Sequence, residues 1–185
     1  MNGVILKFHQ WEEDFPIALL KKYIANYEYQ GASYLMLELE FEYEENGAIG
    51  FGWCCFPKSS CLGYHEGDIE SIFILYDHNS NPRHIYFKAH GRGQGMWVPY
   101  HECETENGKL VAYVARASHA FYPYAKIWWR IFFLASDLTS NTGAKREYSI
   151  PEISSGPITK YVPKGSITQC QRFCLCCCLN SVRDN

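Results

Sequence analysis

The alternation of apolar and polar residues between positions 35 and 44 is the most regular pattern in this chain of 185 residues. The odd positions carry leucine, phenylalanine or tyrosine, and four of the five even positions carry glutamate. Because successive side chains of a strand point to opposite faces, this pattern predicts a strand with one buried face and one solvated face. A helix would distribute the glutamates around its circumference.

The segment that precedes this strand has a different periodicity. Asp14 is a suitable N-cap, Pro16 is tolerated in a first helical turn, and Gly31 is a suitable stop. Between them lies a wide apolar stripe, formed by Ile17, Leu19, Leu20, Tyr23, Ile24 and Tyr27. This spacing predicts one amphipathic helix over residues 14–31.

The rest of the pattern is typical of short strands separated by turns. Turn signals occur at Asn46-Gly47, Asn79–Pro82 and Asn107-Gly108. The strands expected around them are Ala48–Phe56, Ile72–Tyr76, Arg83–His90 and Leu110–Ala115, and Ile127–Ala135 is either another strand or a buried aromatic segment. We therefore predict a mainly β domain over residues 1–155, an antiparallel β-sandwich with one N-terminal helix, followed by an irregular cysteine-rich tail over residues 156–185.

Composition supports a globular β protein and excludes one broad function. Hydrophobic residues make up 47% of the chain and aromatic residues 16%, and aromatic side chains suit the pleated surface of a sheet. The net charge of −3 argues against general nucleic-acid binding, which requires a basic face.

The chain shows no secretory signal, since Val4–Leu6 is a short apolar run and Lys7 follows it at once. The longest apolar stretch, Ile127–Ala135, is interrupted by Arg130 and is too short to span a bilayer. We expect an intracellular protein, either cytoplasmic or peripheral to membranes.

Five of the nine cysteines crowd the tail. The candidates for S-acylation, which would tether the chain to a membrane, are Cys174, Cys176, Cys177 and Cys178. Their spacing is too dense for a tetrahedral zinc site. The alternative is a frayed terminus that carries no modification.

A histidine and two carboxylates stand at the start of the buried segment Ile72–Tyr76. Asp68 and Glu70 share one face of a strand, with Cα atoms about 6.5 Å apart, and His65 can fold back toward them. Oxygen-rich ligation suits Ca²⁺, Mg²⁺ or Mn²⁺ better than Zn²⁺. The alternative is a hydrogen-bonded turn in which Glu70 pairs with Arg116 or Arg92.

Two further histidines close predicted strands. His90 ends one strand and His119 follows another, so both are candidate metal ligands on the same rim, unless they are exposed or satisfied inside the core. Residues proposed to contact a ligand at this rim are Arg92, Trp97, Arg116 and Ser118. The glycine-rich run 91–95 lacks the lysine and hydroxyl residue of a phosphate-binding loop, which excludes that interpretation.

Several of these segments resemble motifs of the vacuolar protein sorting-associated protein 62 family. The matching runs are Tyr64–Glu70, Ala89–Gly91 with Trp97, Tyr113–Pro123, and Asp137–Thr139. Ile69 replaces the tryptophan of the family motif, and Ala117 replaces a glycine, which puts the turn that aims His119 in doubt.

That family is in turn similar to the necrosis- and ethylene-inducing-like cytolysins, β-sandwich proteins that hold a divalent cation and bind sphingolipid head groups. The resemblance implies that Asp68 and Glu70 are cation ligands, with His65 and either His90 or His119 nearby. It does not carry over toxin activity, because those cytolysins are secreted and this chain shows no signal.

Three hypotheses follow. The first is a cation-dependent binding module without catalytic residues, which engages lipid head groups or glycans in membrane traffic. The second is a metal-dependent hydrolase with Glu70, His90 or His119 as general base. The third is a structural role, in which the polar cluster ties strands together.

Overall fold

The computed structural model describes residues 1–9, 17–29, 32–43, 68–90, 95–116, 118–130 and 135–150. These ranges contain one 3-10 turn, Tyr100–Glu102, and twelve strands. The strands are β1 (Gly3–Lys7), β2 (Ile17–Tyr29), β3 (Ala32–Tyr43), β4 (Asp68–Tyr76), β5 (Pro82–Phe87), β6 (Met96–Pro99), β7 (Thr105–Glu106), β8 (Lys109–Val114), β9 (Phe121–Tyr122), β10 (Ile127–Arg130), β11 (Ala135–Leu138) and β12 (Lys145–Ser149).

Two five-stranded sheets face each other. One, called the larger sheet because its strands are longer, has the order β2-β3-β4-β5-β6, and the other, called the smaller sheet, has the order β12-β1-β8-β7 with β9 paired to β8. Both sheets contribute to a single apolar core, formed by Val4, Leu6, Phe8, Leu37, Leu39, Phe41, Tyr43, Ile72, Ile74, Ile85, Phe87, Val98, Leu110, Ala112, Val114 and Phe121. The prediction of a mainly β, sandwich-like domain is therefore confirmed for the described residues.

The prediction of an N-terminal helix is wrong. Residues 17–29 form β2, which pairs antiparallel with β3 from Ile17 opposite Tyr43 to Tyr29 opposite Ala32. The register shifts between Leu19 and Lys21, as it does at a β-bulge. The extra residue interrupts the period of two, so the apolar positions on either side of it imitate helical spacing.

The glutamate face of β3 also differs from expectation. Glu38 is 0% exposed and Glu40 is 4% exposed, although a solvated face was predicted. The same face of the sheet carries a second apolar cluster, formed by Met36, Phe73, Leu75, Tyr86 and Trp97. Both faces of this sheet are therefore buried around the centre of β3.

Two further predictions need correction. The smaller sheet is not purely antiparallel, because β1 and β8 run parallel, from Val4 opposite Leu110 to Lys7 opposite Tyr113. The chain between these two strands contains the whole of the larger sheet, which supplies the long crossover that parallel pairing needs. The expected strand Ile127–Ala135 is divided into β10 and β11, which pair with each other.

Several expectations concern residues that the structure does not describe. The strand Ala48–Phe56, the turn Asn46-Gly47, the boundary near residue 155 and the cysteine-rich tail all lie outside the described ranges. In the part of the chain that is described, no helix has the length and apolar character that a membrane crossing requires.

Leu39 allows a direct test of the sandwich core. It is fully buried on the central strand β3, so Leu39→Ala should lower the free energy of unfolding by about 3 kcal/mol through lost burial and a cavity. Ile127, which is 50% exposed, provides the control, and Ile127→Ala should change that free energy by less than about 0.5 kcal/mol. Urea unfolding of both variants measures the difference, and equal effects would contradict the described packing.

Candidate functional site: a polar end of the sandwich

One end of the sandwich gathers most of the buried polar side chains found among the described residues. At this end β3 stops at Tyr43, opposite Asp68 at the start of β4, and β5 and β8 stop at Phe87 and Val114. The residues that follow β5 and β8 also lie at this end, next to the start of β4 and to the strands β9 and β11. We use the name polar end for the group Glu70, Lys88, His90, Ser118, Tyr122 and Asp137.

Asp137 is the centre of this group. Its carboxylate is almost completely buried and accepts three hydrogen bonds from side chains of other segments. Ser118 donates its hydroxyl to Oδ1 at 2.9 Å, Tyr122 donates to Oδ2 at 2.5 Å, and His90 Nε2 donates to Oδ2 at 2.6 Å. Hydrogen bonds are what make a buried carboxylate tolerable, so these donors keep Asp137 in place.

Backbone contacts hold the donors in position. The amide of Arg116 donates to Leu138 O at 2.9 Å, which fixes the turn after β8 against β11. Within that turn, His119 N donates to Ala115 O at 3.0 Å, and Ala115 N donates to Ala120 O at 2.9 Å. The turn therefore presents Ser118 toward Asp137 and leads directly into β9, which carries Tyr122.

The hydroxyl of Thr139 organises the segment on the other side of Asp137. It accepts hydrogen bonds from Lys126 N at 2.9 Å and Trp128 Nε1 at 3.1 Å. Trp128 in turn stacks on Tyr122, with ring centroids 4.4 Å apart. The aromatic pair closes the side of the site next to β10.

The electrostatics of the site keep Tyr122 protonated. Burial raises the pKa of the Tyr122 phenol far above its usual value, and the negative charges of Asp137 and Glu70 raise it further. The effect of Glu70 on this pKa shows that the start of β4 and the Asp137 cluster share one electrostatic environment. Tyr122 thus serves as a hydrogen-bond donor over the whole ordinary pH range.

Glu70 is buried on the core-facing side of β4, opposite Phe41. Its Oε2 lies 3.0 Å from Lys88 Nζ, which also donates to Ile69 O at 3.0 Å. The sequence suggested Arg116 or Arg92 as the ion-pair partner of Glu70; Lys88 is a described partner, and Arg92 lies outside the described residues. The backbone carbonyl of Lys88 accepts from Phe121 N at 3.0 Å, so Lys88 connects β4, β5 and β9.

Two histidines at this end have left-handed backbone conformations. The φ angle is 57° at His90 and 54° at His119, a region that residues other than glycine rarely adopt. His119 is buried and stacks in parallel on Tyr43, with ring centroids 4.2 Å apart. Such backbone strain persists where surrounding contacts enforce it, and it is common at functional sites.

The predicted metal ligands are only partly brought together. His90 and Glu70 lie at the polar end, but each has an ionic partner, and His119 packs against an aromatic ring. Asp68 begins β4 on the same face as Glu70, but its side chain is not described, and His65 lies outside the described ranges. Among the described residues, no group of three or more histidine, cysteine or acidic side chains is arranged to hold a metal ion.

The predicted ligand contacts have separate locations. Ser118 and Arg116 lie at the polar end, and Arg116 is close enough to His9 for its charge to lower the pKa of that imidazole, after burial as the larger cause. Trp97 instead packs against Tyr86 on the outer face of the larger sheet, where it is only 5% exposed. Arg92 and the four cysteines proposed for acylation lie outside the described residues.

Comparison with known proteins gives no relatives for this site: no protein-family model, curated protein or solved structure matches the chain. The resemblance to the vacuolar protein sorting-associated protein 62 family therefore stays a prediction.

Sequence reasoning missed the importance of Lys88, Tyr122 and Asp137. Asp137 was noted only as part of a motif, although an acid in a strand that follows a long apolar segment is itself a signal of a buried polar partner. Tyr122 was part of the quoted run Tyr113–Pro123 and received no role. Lys88 was assigned to the polar face of a strand and gave no local signal.

Asp137→Asn tests whether this carboxylate is the centre of the polar end. The amide has lost the charge and one acceptor oxygen, so we expect a loss of about 3 kcal/mol in the free energy of unfolding. Ser118→Ala removes one of the three hydrogen bonds and should cost about 1 kcal/mol. Urea unfolding of both variants measures the two losses of free energy of unfolding. A smaller loss for Asp137→Asn than for Ser118→Ala would contradict the assignment.

The raised pKa of Tyr122 predicts the alkaline stability of the protein. Above a pH of about 10 the unfolded chain ionises this tyrosine while the folded protein keeps its proton, so the unfolded state binds fewer protons and stability falls as pH rises. One such group contributes at most about 1.4 kcal/mol per pH unit. In urea unfolding between pH 9 and pH 11, the free energy of unfolding should fall less steeply with pH for Tyr122→Phe than for the parent protein. Equal slopes for the two proteins would contradict the prediction.

Proposed function

We propose that this protein is a binding module in which the polar end engages a polar ligand, a lipid head group or a glycan, with the help of a divalent cation. The observation that supports this most is the burial of Glu70 near the start of β4. An ionised carboxylate in such a place needs a positive partner, and it shares its face of the strand with Asp68.

Lys88 supplies that positive charge in the described arrangement. Its ammonium group contacts Glu70 Oε2 and Ile69 O, two oxygens that are also suitable cation ligands. We propose that a divalent cation exchanges with the Lys88 ammonium and gains Asp68, with His65 as a further candidate. Ca²⁺, Mg²⁺ and Mn²⁺ suit such an oxygen-rich set better than Zn²⁺.

The residues around Asp137 would then orient the ligand. The hydroxyl groups of Ser118 and Tyr122 and the imidazole of His90 are already held by one carboxylate, so little side-chain entropy is lost on binding. The cation would bridge the carboxylates of β4 to a phosphate or hydroxyl group of the ligand. This role needs no catalytic residue.

Metal binding should depend on the acids at the start of β4. Purified protein should contain Ca²⁺, Mg²⁺ or Mn²⁺ by elemental analysis, and chelator should lower its melting temperature. Asp68→Asn with Glu70→Gln should abolish both effects, because the carboxylate ligands are lost. Asp77→Asn is the matched control, since Asp77 follows the opposite end of β4 and pairs with Arg83.

Lys88→Met adds a second arm to this experiment. If the cation exchanges with the ammonium, removal of that competing charge should tighten Mn²⁺ binding in a calorimetric titration. Two results together would overturn the proposal. The purified protein would contain no metal and have the same melting temperature with and without chelator, and Lys88→Met would give no heat of Mn²⁺ binding.

A hydrolase is the second candidate, and one observation favours it. The His90–Asp137 contact is a carboxylate that orients an imidazole, which is how a general base is prepared in many hydrolases. Against it, the nearest hydroxyl nucleophile of the cluster, Ser118, donates to Asp137 and not to the imidazole. A hydrolase would therefore use water as its nucleophile.

A panel of phosphoesters and carboxylic esters, assayed with Mn²⁺, Mg²⁺ and Zn²⁺, separates the two candidates. The binding proposal predicts no turnover with any metal. If turnover occurs and is reduced at least about a hundredfold in His90→Ala, the loss expected for a general base, the hydrolase is the better assignment.

A further inference from the structure

The strand β12 is attached to the smaller sheet with little apolar burial. It lies at one edge of that sheet and, among the described strands, pairs with β1 alone. None of its five residues is buried: Arg146 and Tyr148 are partly covered, and the other three are exposed. A strand with so little buried surface opens more readily than the strands of the core.

Charged side chains supply a second attachment of β12. Lys109 Nζ of β8 lies 2.6 Å from Glu147 Oε2. Lys145 contacts the carboxylate of Glu106 in β7, and its Nζ lies 3.3 Å from Glu147 Oε1. The contacts to β8 and β7 pass over β1, which lies between β12 and β8 in the sheet. We use the name ionic strap for the group Glu106, Lys109, Lys145 and Glu147.

The ionic strap crosses β1 beside a buried apolar strip. At Gly3, the stem of Lys109 lies 3.2 Å from the position that a Cβ atom would take. Ile5 is the next residue on the same face of β1; it is 0% exposed and belongs to the apolar cluster of Val111. Ile5 lies opposite Glu147 on one side and Val111 on the other, so the strap borders this strip on the outer face of the sheet.

The ionic strap differs from isolated surface ion pairs, which contribute little to stability. Its members form one connected series, since Lys145 contacts the carboxylates of both Glu106 and Glu147. The side chain of Lys109 is only 20% exposed, so its stem covers apolar surface while its ammonium group meets a carboxylate. Hydrogen bonds from Lys109 and Lys145 lower the pKa of Glu147 below its usual value, which keeps this carboxylate charged at neutral pH.

We propose that β12 is a latch that the ionic strap holds closed, and that it opens from β1 as a unit while the rest of the sandwich stays folded. Opening breaks the contacts of Lys145 and Glu147, exposes Ile5, and frees an edge of β1 that can accept another strand. Salt promotes opening, because it screens the partly exposed charges of the strap. The latch goes beyond the proposed function and is independent of it, since the cation proposed at Glu70 belongs to the other sheet.

Amide hydrogen exchange of the full chain, followed by nuclear magnetic resonance, measures this opening. The protected amides of β12 should exchange at least about tenfold faster than those of β8, because local opening needs less free energy than global unfolding. Sodium chloride at about 1 M, where the screening length is about 3 Å, should accelerate β12 several-fold relative to β8. The amides of β8 serve as the internal reference for global stability.

Glu147→Gln removes the charge that joins the two lysines of the strap. It should accelerate exchange of β12 about fivefold at low salt, leave β8 unchanged, and remove most of the salt effect. Adding Lys109→Met should have little further effect, because both changes break the same contact. Glu104→Gln is the matched control, since Glu104 contacts Lys7 of β1 and Tyr113 of β8, and it should leave exchange of β12 unchanged.

The latch proposal fails under either of two results. One is exchange of β12 at the same rate as β8 at both salt concentrations, since β12 would then open only when the whole fold unfolds. The other is an equal effect of Glu147→Gln and Glu104→Gln on the exchange of β12, since the ionic strap would then have no particular role in holding the strand.

Discussion

The buried carboxylate of Asp137 is the interaction on which the organisation of the polar end depends. It accepts hydrogen bonds from three side chains that belong to three different segments: the residues after β5, the turn after β8, and β9. The bonds from Tyr122 and His90 are short, at 2.5 and 2.6 Å, and a hydrogen bond to a carboxylate is stronger than a neutral one in a poorly hydrated site. Backbone hydrogen bonds, such as that from Phe121 N to Lys88 O, also join these segments, and Asp137 adds the side-chain link among all three.

The same end of the molecule shows a consistent electrostatic arrangement. Glu70 forms an ion pair with Lys88, and Asp137 contacts the imidazole of His90, so each of these two buried acids has a nitrogen donor beside it. Buried ion pairs of this kind contribute little net stability, because desolvation offsets attraction. They lie at the polar end, next to the left-handed backbone of His90 and His119, and this location is what the proposed ligand exchange requires.

The fold class could be predicted from the sequence because the alternation over β3 and the apolar run of β8 are local properties of the chain. The helix prediction failed at β2 because one bulged residue, which only pairing with β3 reveals, mimics helical spacing. The burial of Glu38 and Glu40 could not be predicted, since it depends on the second cluster across the sheet. Likewise, the grouping of His90 with Ser118 was foreseeable from strand ends, whereas Lys88 and Asp137 meet their partners only through the tertiary fold.

We propose that a divalent cation replaces the Lys88 ammonium group beside Glu70. Paramagnetic broadening by Mn²⁺ in amide correlation spectra of the labelled protein locates such a cation, because broadening falls steeply with distance from the ion. We expect early broadening for the amides of Ile69–Ser71 and Lys88–His90, with Asp77–Asn81 at the opposite end of β4 unaffected. Broadening centred on Asp77–Asn81, or none at equimolar Mn²⁺, would contradict it.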